Sequence, residues 1–353
     1  MKQNTELICE CGLKWREELD FDVEHRYDVR GTGGLFANAL TTCPKCEYKG
    51  LARGIVPVSY SPVKFYLKRE FSLYFPRGGR KPPFTPEIFY DEKEPPNIHL
   101  YEEPSSKTLD LKEIAHYLKQ KLGDISVDLR GPFFTENSLS RVGDIPKRLA
   151  RARIQDFSDP ATQFEPLMAE VETERKCLRG PSVEENVPYN GFELRAAAQK
   201  LLKKDELNLR HIHLVFTRRF FGTWDEKDRR YHARVSVYSF PSLISTTGIV
   251  EAMAKPREFY CSKREHIDPM ELKEQFKEKF IDYNDERLTE IMKGYAMQAV
   301  FYHLTLEPFC SNDRCRLFNA HWQEEVMKAQ LGEPEFCTHH ERMLEEWKEK
   351  YRV

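Results

Sequence analysis

Phe309-Cys310-Ser311-Asn312-Asp313-Arg314-Cys315 and Glu335-Phe336-Cys337-Thr338-His339-His340 place four soft metal ligands directly after a long apolar segment. Zinc takes thiolate and imidazole donors in a tetrahedron, and two ligand pairs that each close a short loop supply such a set with little loss of chain entropy. Cys310/Cys315 and Cys337/His340 are two such pairs. His339 competes for the fourth position, but a two-residue spacer favours His340. Four soft donors leave no open coordination position, so the expected site is closed and structural, pinning residues 311–340 against the end of the preceding helix.

That helix is expected over 286–306, where Ile291, Tyr295 and Ala299 form one row and Met292, Ala296 and His303 the next. Further upstream, Ile98-His99-Leu100-Tyr101 reads as a strand, 109–122 as a helix and Ile125-Ser126-Val127-Asp128-Leu129 as a second strand, a β-α-β unit. A charged insertion occupies about 131–190 and contains one expected helix, around 145–154. A helix over 192–202 follows, then Ile212-His213-Leu214-Val215-Phe216, a nearly continuous apolar strand of the kind buried on both faces. Tyr231–Tyr238 alternates as another strand, and Pro269–Phe280 reads as a charged surface helix. The fold class is therefore α/β (α+β), with a mixed sheet and a long helix near the C-terminus.

The order strand, helix, strand, helix, strand, strand, long helix and metal-pinned tail resembles the metzincin arrangement. The segment after the helix resembles the archaemetzincin family in particular, and also an archaeal group classed with the metallopeptidases. In that family an active helix carries His-Glu-x-x-His and is followed by Cys-x4-Cys and a later Phe-Cys-x-x-Cys around a structural zinc. Phe309-Cys310 through Cys315 and Glu335-Phe336-Cys337 match this tail, with His340 in the place of the last Cys. The resemblance covers about 97–345 by element order and is specific in its motifs over 299–345. Carried back along the helix, the family's first His falls on Ala299, its catalytic Glu on Val300, its second His on His303, its Gly on Leu306 and its third His on Phe309. The Met expected shortly after Cys315 is absent, with Leu317 and Phe318 in the region. A catalytic zinc needs three protein ligands, a bound water and a base, and only His303 remains. The resemblance thus implies a relative that keeps the structural zinc and has lost the peptidase centre, a pseudoenzyme.

The first 52 residues are bracketed by Cys9-Glu10-Cys11-Gly12 and Cys43-Pro44-Lys45-Cys46, a four-thiolate set of the zinc-ribbon type. Residues 53–96 are rich in proline and read as connecting edge strands, and 97–353 form the metzincin-like domain with its insertion. Two structural Zn2+ sites are expected, one from Cys9, Cys11, Cys43 and Cys46 and one from Cys310, Cys315, Cys337 and His340.

In 353 residues the formal net charge is only −2, with 32% charged and 40% hydrophobic residues, which removes any global electrostatic argument for nucleic acid or an anionic membrane. Neither a leader-like apolar run nor a membrane span is expected, and the clustered cysteines favour metal over disulfides, so a cytoplasmic setting is the expectation.

A rebuilt catalytic metal centre is the competing reading. His321 with Glu324 or Glu325 could fold back toward His303, and His211, His213 and His232 stand on neighbouring strands, although a lone His on an apolar helix face is usually a hydrogen-bonded core residue. Ser242–Glu251 reads as a hydroxyl-rich loop able to present backbone amides to a peptide or phosphate. Arg218-Arg219-Phe220-Phe221 and Arg229-Arg230-Tyr231-His232 interleave cations with aromatics around a hairpin turn, as RNA binders do. The sequence therefore supports, in order, a zinc-containing interaction module with a protein partner, a metallopeptidase rebuilt around His303, and a zinc-ribbon factor that binds RNA or the ribosome.

Overall fold

The computed structural model describes residues 93–102, 107–134, 144–159, 165–179, 187–264, 268–305 and 307–351, together with the N-terminal strands and short stretches beside them. Those strands are β1 (Lys2–Ile8), β2 (Lys14–Asp20), β3 (Asp22–Tyr27), β4 (Gly33–Thr42), β5 (Lys49–Val56) and β6 (Leu73–Tyr74). β1 and β2 pair antiparallel, and β3-β4-β5-β6 form an antiparallel sheet. The Thr41 hydroxyl donates to the Glu17 carboxylate at 2.6 Å, joining β4 to β2. Cys9, Cys11, Cys43 and Cys46, the expected ribbon ligands, lie outside the described residues.

The main body is a mixed α/β unit, as the sequence pattern requires. β7 (Asn97–Glu102) leads into α1 (Leu111–Leu122), whose N-terminus is capped by Asp110 accepting from the amides of Lys112 and Glu113. Gly123 ends α1 at φ 79°, a left-handed conformation that favours glycine, and β8 (Val127–Arg130) returns alongside β7. α2 (Ile145–Arg151), α3 (Met168–Arg179), β9 (Pro188–Asn190) and α4 (Gly191–Gln199) follow, then β10 (His211–Thr217). A hairpin of β11 (Phe220–Asp225) and β12 (Arg230–Arg234) extends to the short β13 (Ser236–Val237), which precedes β14 (Ser242–Ser245). The remaining helices are α5 (Thr246–Glu251), α6 (Arg257–Arg264), α7 (Pro269–Phe276), α8 (Leu288–Thr305), α9 (Gln323–Leu331) and α10 (Thr338–Lys350).

β13-β14-β10-β7-β8 form the central sheet, parallel except for β13 at its edge. β10 is the middle strand, and all its residues after His211 are buried, which explains its unbroken apolar run. One face, with Ile98, Leu100, Ile212, Leu214 and Phe216, packs in a core with α1 and α8. Because side chains alternate along a strand, Tyr101 and Val215 point the other way, into a second core with α4. α8 is apolar around its circumference because it is surrounded: Ile291, Met292, Ala296, Ala299 and Val300 are all fully buried. Each large apolar side chain enclosed in this way contributes about 1.5–3 kcal/mol.

A Cβ added at Gly294 of α8 would lie 1.6 Å from Gln330 Oε1 and 2.9 Å from Arg316 Cγ, so the bare backbone there lets α9 approach. Gln330 is itself held, donating from Nε2 to the Arg316 carbonyl at 2.9 Å. Gly294→Ala should therefore destabilise the fold by about 1–3 kcal/mol in urea unfolding, and an unchanged midpoint would mean the contact is not tight.

Three local readings are corrected by the structure. The insertion holds a second helix, α3, whose polar sequence hides the buried Val171, Glu174 and Leu178. Tyr231–Tyr238 is not one strand: β12 pairs with β11 and β13 with β14, so the chain changes sheets in between. Ser242–Glu251 is a buried strand running into a short helix, not a presenting loop. Its hydroxyls are spent on the core, Ser245 capping Gly248 N and donating to the Arg219 carbonyl, Thr246 and Thr247 donating to the carbonyls of Thr217 and Arg218.

Candidate metal centre

Cys310 and Cys315 flank a tight loop in which the Asn312 amide donates to Cys310 Sγ at 3.3 Å and the Cys315 amide to the Asn312 carbonyl at 3.0 Å. The loop is anchored to the segment that follows it by Cys310 N to Leu317 O at 2.9 Å. Cys337 is the residue at which α10 begins, and His340 lies in the first turn of that helix, so the second pair is set by helical geometry. One donor atom from each of Cys310, Cys315, Cys337 and His340 falls within 4.8 Å of the other three. Cys310 Sγ lies 3.8 Å from Cys337 Sγ, Cys315 Sγ 3.7 Å from His340 Nδ1 and Cys337 Sγ 3.1 Å from the same nitrogen. A tetrahedral ion with metal–sulfur bonds of about 2.3 Å and a metal–nitrogen bond of about 2.0 Å sets ligand-to-ligand edges of about 3.5–3.8 Å. The donor set fits such an ion and would close its coordination, with edges of 3.8 and 3.7 Å in range and the Cys337–His340 edge shorter at 3.1 Å.

The surroundings brace this arrangement against α8 and α1. His340 is buried and meets the Phe301 ring of α8 edge-on at 5.3 Å. Glu335 accepts from the Tyr117 hydroxyl of α1 at 2.7 Å and pairs with Lys121 at 3.2 Å, while its backbone carbonyl receives the Arg316 amide at 2.7 Å. Arg316 is buried, pairs with Glu290 of α8 at 2.6 Å and stands over the Tyr117 ring. The hydrogen bond from the Cys315 thiol, helped by His340, draws the Cys310 thiol down, while the same bond and burial push Cys315 up.

His303 is placed elsewhere. Its Nε2 donates to the carbonyl of Leu209 at 2.7 Å, its ring packs edge-on to Phe240 at 5.0 Å, and the side chain is 2% exposed. The His321 repair does not reach it, and of the strand histidines His211 is the one whose charge bears on it. Glu325 accepts from the His321 and Trp322 amides and thereby caps α9, and His232 sits beside Asp228 on the outer hairpin. The cavity beside α8, lined in part by Tyr295, Gln298, Phe309 and His321, holds about 70 Å³, far below the roughly 300–1,000 Å³ of ordinary ligand pockets.

Burial lowers His303 to about 4. The unfolded chain, with an ordinary value near 6.5, takes up its proton first as the pH falls. This residue's contribution is therefore complete above about pH 6.5 and shrinks by about 1.4 kcal/mol per pH unit down to the folded value. Relative to His303→Gln, which can still donate to the Leu209 carbonyl, the native protein should lose about 2–3 kcal/mol between pH 6.5 and 4.5 in denaturant titrations; parallel pH profiles would contradict this.

A second cluster lies on the far face of the sheet. His99 and His213 are register partners on β7 and β10, and with Glu206 they offer three donor atoms within 4.8 Å of one another. His99 Nδ1 faces Asp128 at 3.3 Å and its Nε2 meets His211 Nδ1 at 2.9 Å. Tyr101 accepts from Arg130 at 2.8 Å and donates to His213 Nδ1 at 3.0 Å. Arg130 also grips Glu206 through two hydrogen bonds of 2.7 and 2.9 Å, and this holds the Glu206 carboxyl down at about 2. Burial lowers His213 to about 3 and also lowers His99. Sequence reasoning placed His211 and His213 on one strand face but missed His99, Asp128 and Glu206. The available signal was a polar residue at the centre of each of two otherwise apolar parallel strands.

Of the interleaved cations, Arg219 is 1% exposed and bound to Glu174, so it belongs to the core and not to an RNA surface. No helix among the described residues is long and apolar enough to cross a membrane.

No curated protein and no solved structure matches the chain. One family model does, described as "Probable metallopeptidase family (DUF6775)", over residues 94–347. That span takes in the central sheet, the insertion, α8 and the Cys/His cluster, and on this match the chain belongs to that probable metallopeptidase family.

Proposed function

We propose that the chain is a zinc-clamped member of this family that does not hydrolyse peptides through its long helix and serves as an interaction module for a protein partner. The carrying observation is His303: it is enclosed, its Nε2 proton is given to the Leu209 carbonyl, and Ala299, Val300 and Phe309 stand where further ligands and a base would be needed. These residues do not fit a catalytic ion. The three thiols and His340, by contrast, suit zinc in a closed site whose work is mechanical.

Zinc-loaded protein incubated with a mixed peptide library and followed by mass spectrometry should show no cleavage, and His303→Gln should leave the zinc content unchanged. Cleavage that disappears in His303→Gln would overturn the proposal.

A further inference from the structure

On the face of the sheet turned away from α8, His99 and His213 lie side by side with ring centroids 4.8 Å apart, and the 3-10 turn Lys204–Glu206 brings the Glu206 carboxylate beside them. All three are buried, at 4%, 4% and 7% exposure. We propose that His99, His213 and Glu206 form a second, open site for a divalent transition-metal ion of the zinc class, in which Arg130 is the cation that occupies Glu206 until the metal enters. The site shares no residue with the clamp or with α8, so it stands apart from the function proposed above.

Two imidazoles and one carboxylate are a three-ligand set that leaves a coordination position open, unlike the closed Cys/His cluster. Each ring has a hydrogen-bond partner on both nitrogens: Asp128 and His211 for His99, Tyr101 and the Glu206 carbonyl for His213. Either ring can therefore turn one nitrogen to an ion and keep a partner on the other, the arrangement that orients metal-binding histidines. Arg130 has somewhere to go. Its Nε already donates to Asp128 at 3.0 Å, and the Asp128 side chain is 55% exposed, so the guanidinium can release Glu206 without losing its anchor.

Cobalt(II) titration separates this site from any thiolate site, because cysteine ligands give an intense near-ultraviolet sulfur-to-cobalt charge-transfer band and an imidazole–carboxylate site gives only visible d–d absorption. The native protein should develop a sulfur-free d–d component that is lost in His213→Gln and in Glu206→Gln. Arg130→Met should raise cobalt affinity for this component by about tenfold or more, since a charge-assisted competitor is removed. Should a variant fail to fold by circular dichroism, paramagnetically shifted ring protons of two histidines in addition to His340 in the cobalt-loaded native protein give the same answer. Absence of a sulfur-free component in the native protein overturns the inference, as does one that persists in folded His213→Gln. A component confined to Arg130→Met also overturns it, because the guanidinium would then be the permanent cation.

Discussion

Glu174→Ala should lower the free energy of unfolding by about 3–5 kcal/mol, the loss expected when one partner of a buried ionic network is removed. Glu174 of α3 is fully buried, and its two oxygens receive Arg153 at 2.8 Å, Arg219 at 3.0 Å and the Tyr189 hydroxyl at 2.7 Å. Arg219 is 1% exposed, and without the carboxylate its charge would face the core with much of its compensation gone. Its guanidinium stands over the rings of Phe134 and Tyr189, which hold it in place. Glu174→Gln, which keeps shape and hydrogen bonding but not charge, should lose less. The combination Glu174→Leu, Arg153→Met and Arg219→Met should recover much of the loss, because apolar replacement of an entire buried ionic group is often close to neutral. A loss below about 1 kcal/mol for Glu174→Ala would show that the insertion does not share the second core, contrary to the packing of α2, α3, β9 and α4 around it.

The second large effect is at the clamp. Cys315→Ala, or a strong chelator acting on the native chain, should release the metal and free residues 310–340 for proteolysis, since binding at small structural zinc sites contributes on the order of 10 kcal/mol. Cys315 is wholly buried, and the loop it closes is tied to the start of α10, so loss of one donor undoes both loops together. Arg316 and Glu335 would then lose the geometry that links the tail to Tyr117 of α1 and Glu290 of α8. Limited proteolysis with and without chelator reads this directly. Unaltered digestion after metal removal would mean that packing alone holds the tail.

Much of this architecture was legible because it rests on short-range regularity. The β-α-β unit came from a period-two run beside a period-3.6 run, and the unbroken apolar strand Ile212–Phe216 announced the centre of the sheet. The Cys/His set was visible because each ligand pair lies within one loop or one helical turn. The misses share a different cause. α3 was hidden because its buried face carries Glu174, and a charge reads as solvent-facing until its arginine partners, brought from Arg153 and Arg219, are known. The hydroxyl-rich 242–251 segment looked like a loop because Ser and Thr favour turns, whereas here their oxygens answer carbonyls of the β10–β11 connection. His99 and Asp128 escaped because their proximity to His211 and His213 depends on strand register, and Glu206 because a 3-10 turn brings it there; no local pattern encodes either.

We propose a closed metal clamp behind a helix that holds no metal of its own. X-ray absorption at the zinc edge, on the chain with Cys9, Cys11, Cys43 and Cys46 replaced by serine, tests it most directly. The zinc held most tightly should have three sulfur and one nitrogen neighbours, be lost in Cys315→Ala and be retained in His303→Gln. A tightly held zinc surrounded by nitrogen and oxygen alone, and released by His303→Gln, would contradict it.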